Sequence, residues 1–153
     1  MSIHLRDMHA DELAAFRRYS VQDYARELMQ HLSEEAALSQ AEQEFDELLP
    51  GSFLKVIEHD HLAVGVLWYI VEETEGIQHL FLNDFIISPS HRRKGYATLA
   101  LTALDQEARL HGCSQIRLYA ANSNTAAQAL YRRCGYQLLR PFEAGAYLHR
   151  KII

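Results

Sequence analysis

PSHRRKGYATLA (residues 89–100) stands directly after FLNDFIIS (residues 81–88), and the reading of that junction decides the fold. The first run is apolar enough for a strand. The second opens on a proline and three cations, Arg92, Arg93 and Lys94, and passes through Gly95 into residues that suit a helix. Cations at a helix N-terminus oppose the macrodipole, which prefers negative charge there. The pattern makes physical sense where an anion is held. The first amides of a helix have no internal partner and can bind phosphate directly. Gly95 permits close approach, small Ala97 leaves the first turn uncrowded, and the cations add charge-assisted hydrogen bonds. Taken alone, the same letters also fit a solvated basic turn. The stretch is no P-loop, because the glycine-rich run and the terminal Gly-Lys-Ser/Thr are missing. It has one glycine where the dinucleotide fingerprint needs three.

Working outward, residues 2–6 make a short first strand, and residues 11–49 have a helical composition without Gly or Pro. A break near Ser20 or Ser33 divides them into two or three helices, and Pro50-Gly51 ends the run. SFLKVIEH and HLAVGVLWYIVE read as strands around a turn at His59-Asp60-His61. Glu72 to Gly76 reads as a polar turn, and IQHLFLNDFIIS completes a three-stranded meander. Gly95 to Leu110 is helical, with Ala97, Ala100, Leu101, Leu104 and Ala108 on one stripe and Gly112 near its end. SQIRLYA is a strand. Residues 124–134 form a second short helix ending at Gly135, with Tyr136 placed to meet Leu130 or Tyr131 across the turn. GYQLLRPF and GAYLHRKII close the chain. The expected fold is α/β, in the sense of an α+β mixed sheet. It has a central sheet of about seven strands, helices on both faces and the order βαα-βββ-α-β-α-ββ, in one domain over residues 1–153.

Composition narrows the function. The chain has 153 residues, 48% of them hydrophobic, which suits a packed core rather than disorder. The formal charge of -5 argues against a nucleic-acid partner. The longest apolar run, Leu62 to Val71, is too short for a membrane-spanning helix. Two cysteines and an N-terminus without signal-peptide character lead to the expectation of a soluble cytoplasmic protein with no membrane partner. His59 and His61 flank a turn without a third ligand at useful spacing, so no metal is expected. His79 and His149 are expected as partly buried or surface strand residues.

Two motifs then carry a resemblance. Arg92-Arg93-Lys94-Gly95-Tyr96-Ala97 is similar to the Arg/Gln-x-x-Gly-x-Gly/Ala loop of the GCN5-related N-acetyltransferase (GNAT) superfamily. NTAAQALYRRCGY, Asn124 to Tyr136, resembles that superfamily's Asn-x-x-Ala-x-x-Leu-Tyr-x-x-x-Gly-Tyr/Phe. Both lie at the family's spacing, and the element order fits from about residue 2 to the end. The resemblance implies two central parallel strands, residues 80–88 and 115–120, that splay apart around acetyl-coenzyme A. The backbone of Ile86, Ile87 and Ser88 would bond the pantetheine arm. Arg92, Arg93, Lys94, Gly95, Tyr96 and Ala97 would hold the pyrophosphate, and Asn124 would reach the cofactor from the other side.

For the chemistry, the resemblance implies that Tyr131 is the acid protonating the departing thiolate. The apolar stripe of its helix reads it equally as a packing residue. Where several family members carry Glu-Asp, this chain has Asn83-Asp84. Asn83 can orient a water. Asp84 can act as base, hold a substrate ammonium or cap a neighbouring backbone group. Adjacent strand residues face opposite ways, so both reach the cleft only if a bulge intervenes. Tyr19, Tyr24, Glu27, Glu72 and Tyr147 are candidates for acceptor contacts, without a signal of their own. The expected activity is direct acetyl transfer to a primary amine in a ternary complex, as no cysteine matches a nucleophile position. A small amine is the expected acceptor, with a peptide or protein N-terminus left open, as is a homodimer. The alternatives are transfer of a longer acyl group and a non-catalytic acyl-coenzyme A sensor.

Overall fold

The computed structural model describes residues 2–152. Their order is β1 (His4–Asp7), α1 (Ala10–Leu28), α2 (Glu34–Leu48), β2 (Phe53–His59), β3 (Leu62–Thr74), β4 (Ile77–Ile87), a 3-10 turn (Pro89–His91), α3 (Tyr96–Leu110), β5 (Gln115–Ala121), α4 (Thr125–Arg133), β6 (Gln137–Phe142) and β7 (Gly145–Lys151). The seven strands form one sheet in the order β1-β2-β3-β4-β5-β7-β6. It is mixed: β4 and β5 run parallel, while β3–β4, β5–β7 and β6–β7 are antiparallel. This is the α/β architecture expected from the sequence. The closing strand ends at Lys151, and Ile153 lies outside the described residues.

Two compact units can be distinguished, one of residues 7–54 and one of the residues up to 6 and from 55 on. The smaller is a helical hairpin. Its break falls at Ser33, whose side chain accepts from the Ala36 N–H and caps α2, whereas Ser20 lies inside α1. Phe16 packs on Phe45, and Arg17 forks both carboxylate oxygens of Asp46 at 3.0 and 2.8 Å.

In the larger unit, tight turns set the sheet. Asp60 and His61 both have positive φ, as the two-residue hairpin between β2 and β3 requires. Glu75 and Gly76 do the same between β3 and β4. The expected turn from Glu72 is therefore corrected: the reversal needs only two residues, and Glu72, Glu73 and Thr74 pair with His79, Gln78 and Ile77. The α3 face of the sheet is closed by Leu80, Ile116, Leu118 and Leu148 beneath Leu101 and Leu104, all 0–2% exposed. Both helices after the central strands end on Schellman turns. Cys113 N–H reaches Ala108 O past Gly112, and Tyr136 N–H reaches Tyr131 O past Gly135.

Gly65 sits where β3 and β4 leave no room for a side chain. A Cβ there would collide with the Ile86 carbonyl on β4 and crowd the Ile57 side chain at 3.2 Å. Gly65→Ala should cost about 1–3 kcal/mol, as overpacking against a fixed backbone does. Thermal unfolding reads this as a lowered Tm, and an unchanged Tm contradicts it.

Candidate active site

The site begins where the central pair comes apart. β4 and β5 pair only from His79–Gln115 to Leu82–Leu118. Beyond that, β4 is carried by β3 alone and β5 by β7 alone. At the fork, the β3–β4 register steps from Tyr69↔Leu82 to Trp68↔Asp84, leaving Asn83 as the extra residue of a β-bulge. The bulge resets the alternation. Tyr69 and Leu82 face α3, since the Tyr69 hydroxyl donates to Glu107 of that helix. Asp84, opposite Trp68, faces the other way, the side that Phe81 and Asn83 occupy. The condition for bringing Asn83 and Asp84 to one side is thus met. Asp84 Oδ1 also accepts from the Phe85 N–H at 2.9 Å, a local cap of the kind anticipated.

Past the bulge, the backbone is unevenly available. Ser88 N–H donates to Val64 O at 2.8 Å and is committed to β3. By alternation, Ile87 turns its N–H and C=O to the diverging edge, and Ile86 turns back to β3. Ile87 O accepts from Arg92 Nε at 3.0 Å, so Arg92 ties the loop to the strand end as well as bringing charge.

The loop itself is built of unusual torsions. Arg93 has φ 62° and Gly95, the α3 N-cap, has φ 84°. A left-handed residue followed by a helical one turns successive N–H groups inward, making an anion-binding nest. Among the described residues no side chain caps this helix start, and no acid stands in its first turn. Among the described residues, its chain neighbours aside, nothing lies within 4 Å of where a Gly95 Cβ would be, leaving the approach open. Arg92, Arg93 and Lys94 are exposed beside it. Ala97 follows in the first turn. Tyr96 contributes its backbone only: its ring is 9% exposed and packs 5.1 Å from His59, a contact with no local sequence signal.

Asn124 caps α4, its side-chain oxygen accepting from Ala127 N–H at 3.1 Å. Only its NH2 is left for a ligand. Tyr131, 9% exposed on the same helix, has no hydrogen-bond partner for its hydroxyl among the described residues. Burial, then the Asp84 carboxylate and Cys134, push its phenol up to about 12. That influence of Asp84 brings the two candidate catalytic groups within electrostatic reach of each other. Tyr136 meets the Tyr131 ring edge-on at 5.8 Å and is itself covered by Arg150, which pairs with Asp105 of α3. The packing and catalytic readings of Tyr131 therefore coexist: the ring is held, and the hydroxyl is free.

The acceptor candidates divide between the units. Tyr19, Tyr24 and Glu27 lie on α1, where a hydrogen bond to Glu44 raises Tyr24 to about 12 and commits its hydroxyl. Glu72 and Tyr147 line a cavity of about 570 Å³ together with Asn83. Among the described residues no group of three or more His, Cys, Asp or Glu side chains is arranged to hold a metal ion. Among the described residues no helix is long and apolar enough to cross a membrane.

Comparison with known proteins follows the same lines. The model of the Acetyltransferase (GNAT) family matches residues 35–136. The uncharacterized N-acetyltransferase YycN of Bacillus subtilis is 35% identical over 149 residues, covering 90% of this chain and 94% of its own. Its crystal structure superposes with a TM-score of 0.82, over 94% and 97% of the two chains. A paiA N-acetyltransferase from Thermoplasma acidophilum, in complex with coenzyme A, shares the fold at a TM-score of 0.71 and 15% identity, over 99% of both chains.

Proposed function

The chain belongs to the acetyltransferase (GNAT) family of acyl-coenzyme A-dependent acyltransferases, and on that premise we propose that it transfers an acetyl group from acetyl-coenzyme A to a primary amine by direct attack. The observation that carries the reading is the fork between β4 and β5, with a buried neutral phenol on one side and a carboxylate on the other.

The residues fit the co-substrate. The α3 nest and the cations suit a diphosphate, the Ile87 backbone suits an amide-bearing arm, and the Asn124 NH2 is open. Acetyl-coenzyme A supplies an acetyl thioester with a thiolate leaving group. Asp84, with Asn83 beside it, takes the proton released by the attacking nitrogen, directly or through water. Tyr131 offers its hydroxyl proton to the sulfur as negative charge gathers there. The net movement is one proton from nitrogen to sulfur: the proton that Asp84 takes returns through water to Tyr131, leaving both groups as they began. The site is proposed to serve small amines in the cytoplasm.

Thiol release with an amine panel tests this reading. Amine-dependent release is expected, and coenzyme A binding with no release above hydrolysis would convert the protein to a sensor. Replacing acetyl- by longer acyl-coenzyme A tests chain length in the same assay.

The loop makes its own prediction. Gly95→Val places a β-branched residue at φ 84°, where it is strained, and disturbs the nest. Coenzyme A binding should weaken by about 1–3 kcal/mol through lost hydrogen bonds to charge. Calorimetric titration reads it, and a folded variant with unchanged affinity would move the pyrophosphate elsewhere.

A further inference from the structure

The cavity that holds Asn83 also holds charges the acetyl-transfer chemistry does not use. Glu72 stands on β3 at one end, its carboxylate 3.1 Å from Nε2 of His79, a histidine only 2% exposed. Arg117 enters from β5, beside Phe81 of β4. Arg140 enters from β6, its guanidinium 4.7 Å over the Tyr147 ring. Among the described residues neither arginine has a carboxylate partner, although Arg117 Nε bonds the Gln115 side-chain oxygen at 3.1 Å. A cavity that fixes a carboxylate on one wall and presents two unpaired guanidiniums on another is bipolar. Ile70 and Phe81 form an apolar floor between the charges and Asn83.

We infer that the acceptor is an α-amino acid carrying a side-chain amine. Its α-carboxylate is taken by Arg117 and Arg140, its α-ammonium by Glu72, and its side-chain amine is presented at Asn83. Register supports the span. Glu72 and Arg117 lie two strands and two residues apart, roughly 12 Å between backbones, which two long side chains close around a zwitterion. From Arg117 to Asn83 the diagonal across paired β4 and β5 is roughly 8 Å, a reach that suits a lysine-length methylene stem over Phe81. Guanidinium groups bind carboxylates in pairs of parallel hydrogen bonds, which favours this group over a bare hydroxyl or a second amine. A polyamine places a cation against the arginines and is disfavoured.

This rests on the acetyl-transfer reading above, and the test separates the two. Thiol release is measured with lysine, with cadaverine, which lacks the carboxylate, and with 6-aminohexanoate, which lacks the α-amine. The expected order in kcat/KM is lysine, then 6-aminohexanoate, then cadaverine, with about ten- to a hundredfold between the ends, the worth of a hydrogen-bonded charge. Arg117→Gln should narrow the gap between lysine and cadaverine from both ends, raising KM for lysine and easing the repulsion of cadaverine's second ammonium. Equal or better use of cadaverine overturns the inference and leaves amine acetylation standing. Absence of release with every amine overturns acetylation itself. Calorimetric binding of lysine and cadaverine to the coenzyme A complex then decides the inference without turnover: equal affinities overturn it, and lysine-selective binding supports it.

Discussion

Tyr131→Phe should keep its fold and lose about 10²–10⁴-fold in kcat, the usual worth of a positioned general acid. The ring stays against Tyr136, and the Schellman turn uses only the Tyr131 backbone carbonyl, so neither needs the hydroxyl. The lower part of the range is expected. A phenol pushed up to about 12 is several units weaker than an ordinary thiol near 8.5, so transfer to a free thiolate is uphill by on the order of 5 kcal/mol. The hydroxyl therefore acts mainly by hydrogen-bonding the sulfur as the carbon–sulfur bond breaks, aided by apolar surroundings that raise the thiolate's basicity too. Coenzyme A affinity should change little. Steady-state kinetics with chemistry rate-limiting, alongside coenzyme A titration, decides the matter, and kcat within about twofold of wild type removes Tyr131 from the acid's role. The sign of the pH effect follows from the same shift. Below pH 10 the phenol is neutral in both folded and unfolded chains. From there to about 12 only the unfolded chain ionises, so stability falls as pH rises, and Tyr131→Phe should reduce that alkaline loss. An activity loss near pH 9 belongs to another group.

Asp84→Asn is expected to lower kcat by a comparable factor, about 10²–10⁴, and to flatten the acidic limb of the rate profile. The asparagine oxygen can still accept from Phe85 N–H, so the bulge should survive and the loss report chemistry. If Asp84 instead holds the incoming ammonium, KM rises while kcat is largely kept. Wild-type kcat and KM together exclude both roles.

Much of this was legible in the chain because the signals are local. Gly95, Gly112 and Gly135 sit at positive φ where helix punctuation placed them, and the alternating Ile116, Leu118 and Ala120 are buried as one face. Asn124 at a helix start is a cap by residue type alone. What stayed hidden depends on pairing between distant segments. Asn83 looks like any polar strand residue, and only its register against Trp68 and Tyr69 reveals the bulge. The type of turn at Glu75-Gly76, two residues rather than five, decided whether Glu72 faced a cavity or solvent. Arg117 and Arg140 lie on strands separated by a whole helix, and nothing in their neighbours announces that they share a cavity. His59 against Tyr96 is invisible for the same reason. The unpaired alternation of Arg117 with buried Ile116 and Leu118 was the one available hint.

A chain shorter by a single residue at position 83 should make a better sheet and, on the proposed mechanism, a worse enzyme. Without Asn83 the ladder between β3 and β4 would run on in one register with Asp84 still opposite Trp68, but the bend of the bulge and the Asn83 side chain would be gone from the fork. Most deletions harm a protein by breaking its order. On the proposed mechanism the order is what has to be broken, and selection for stability alone would repair the defect. Screens of shortened variants should therefore score folding and catalysis separately, because at this position a gain in one is bought with the other.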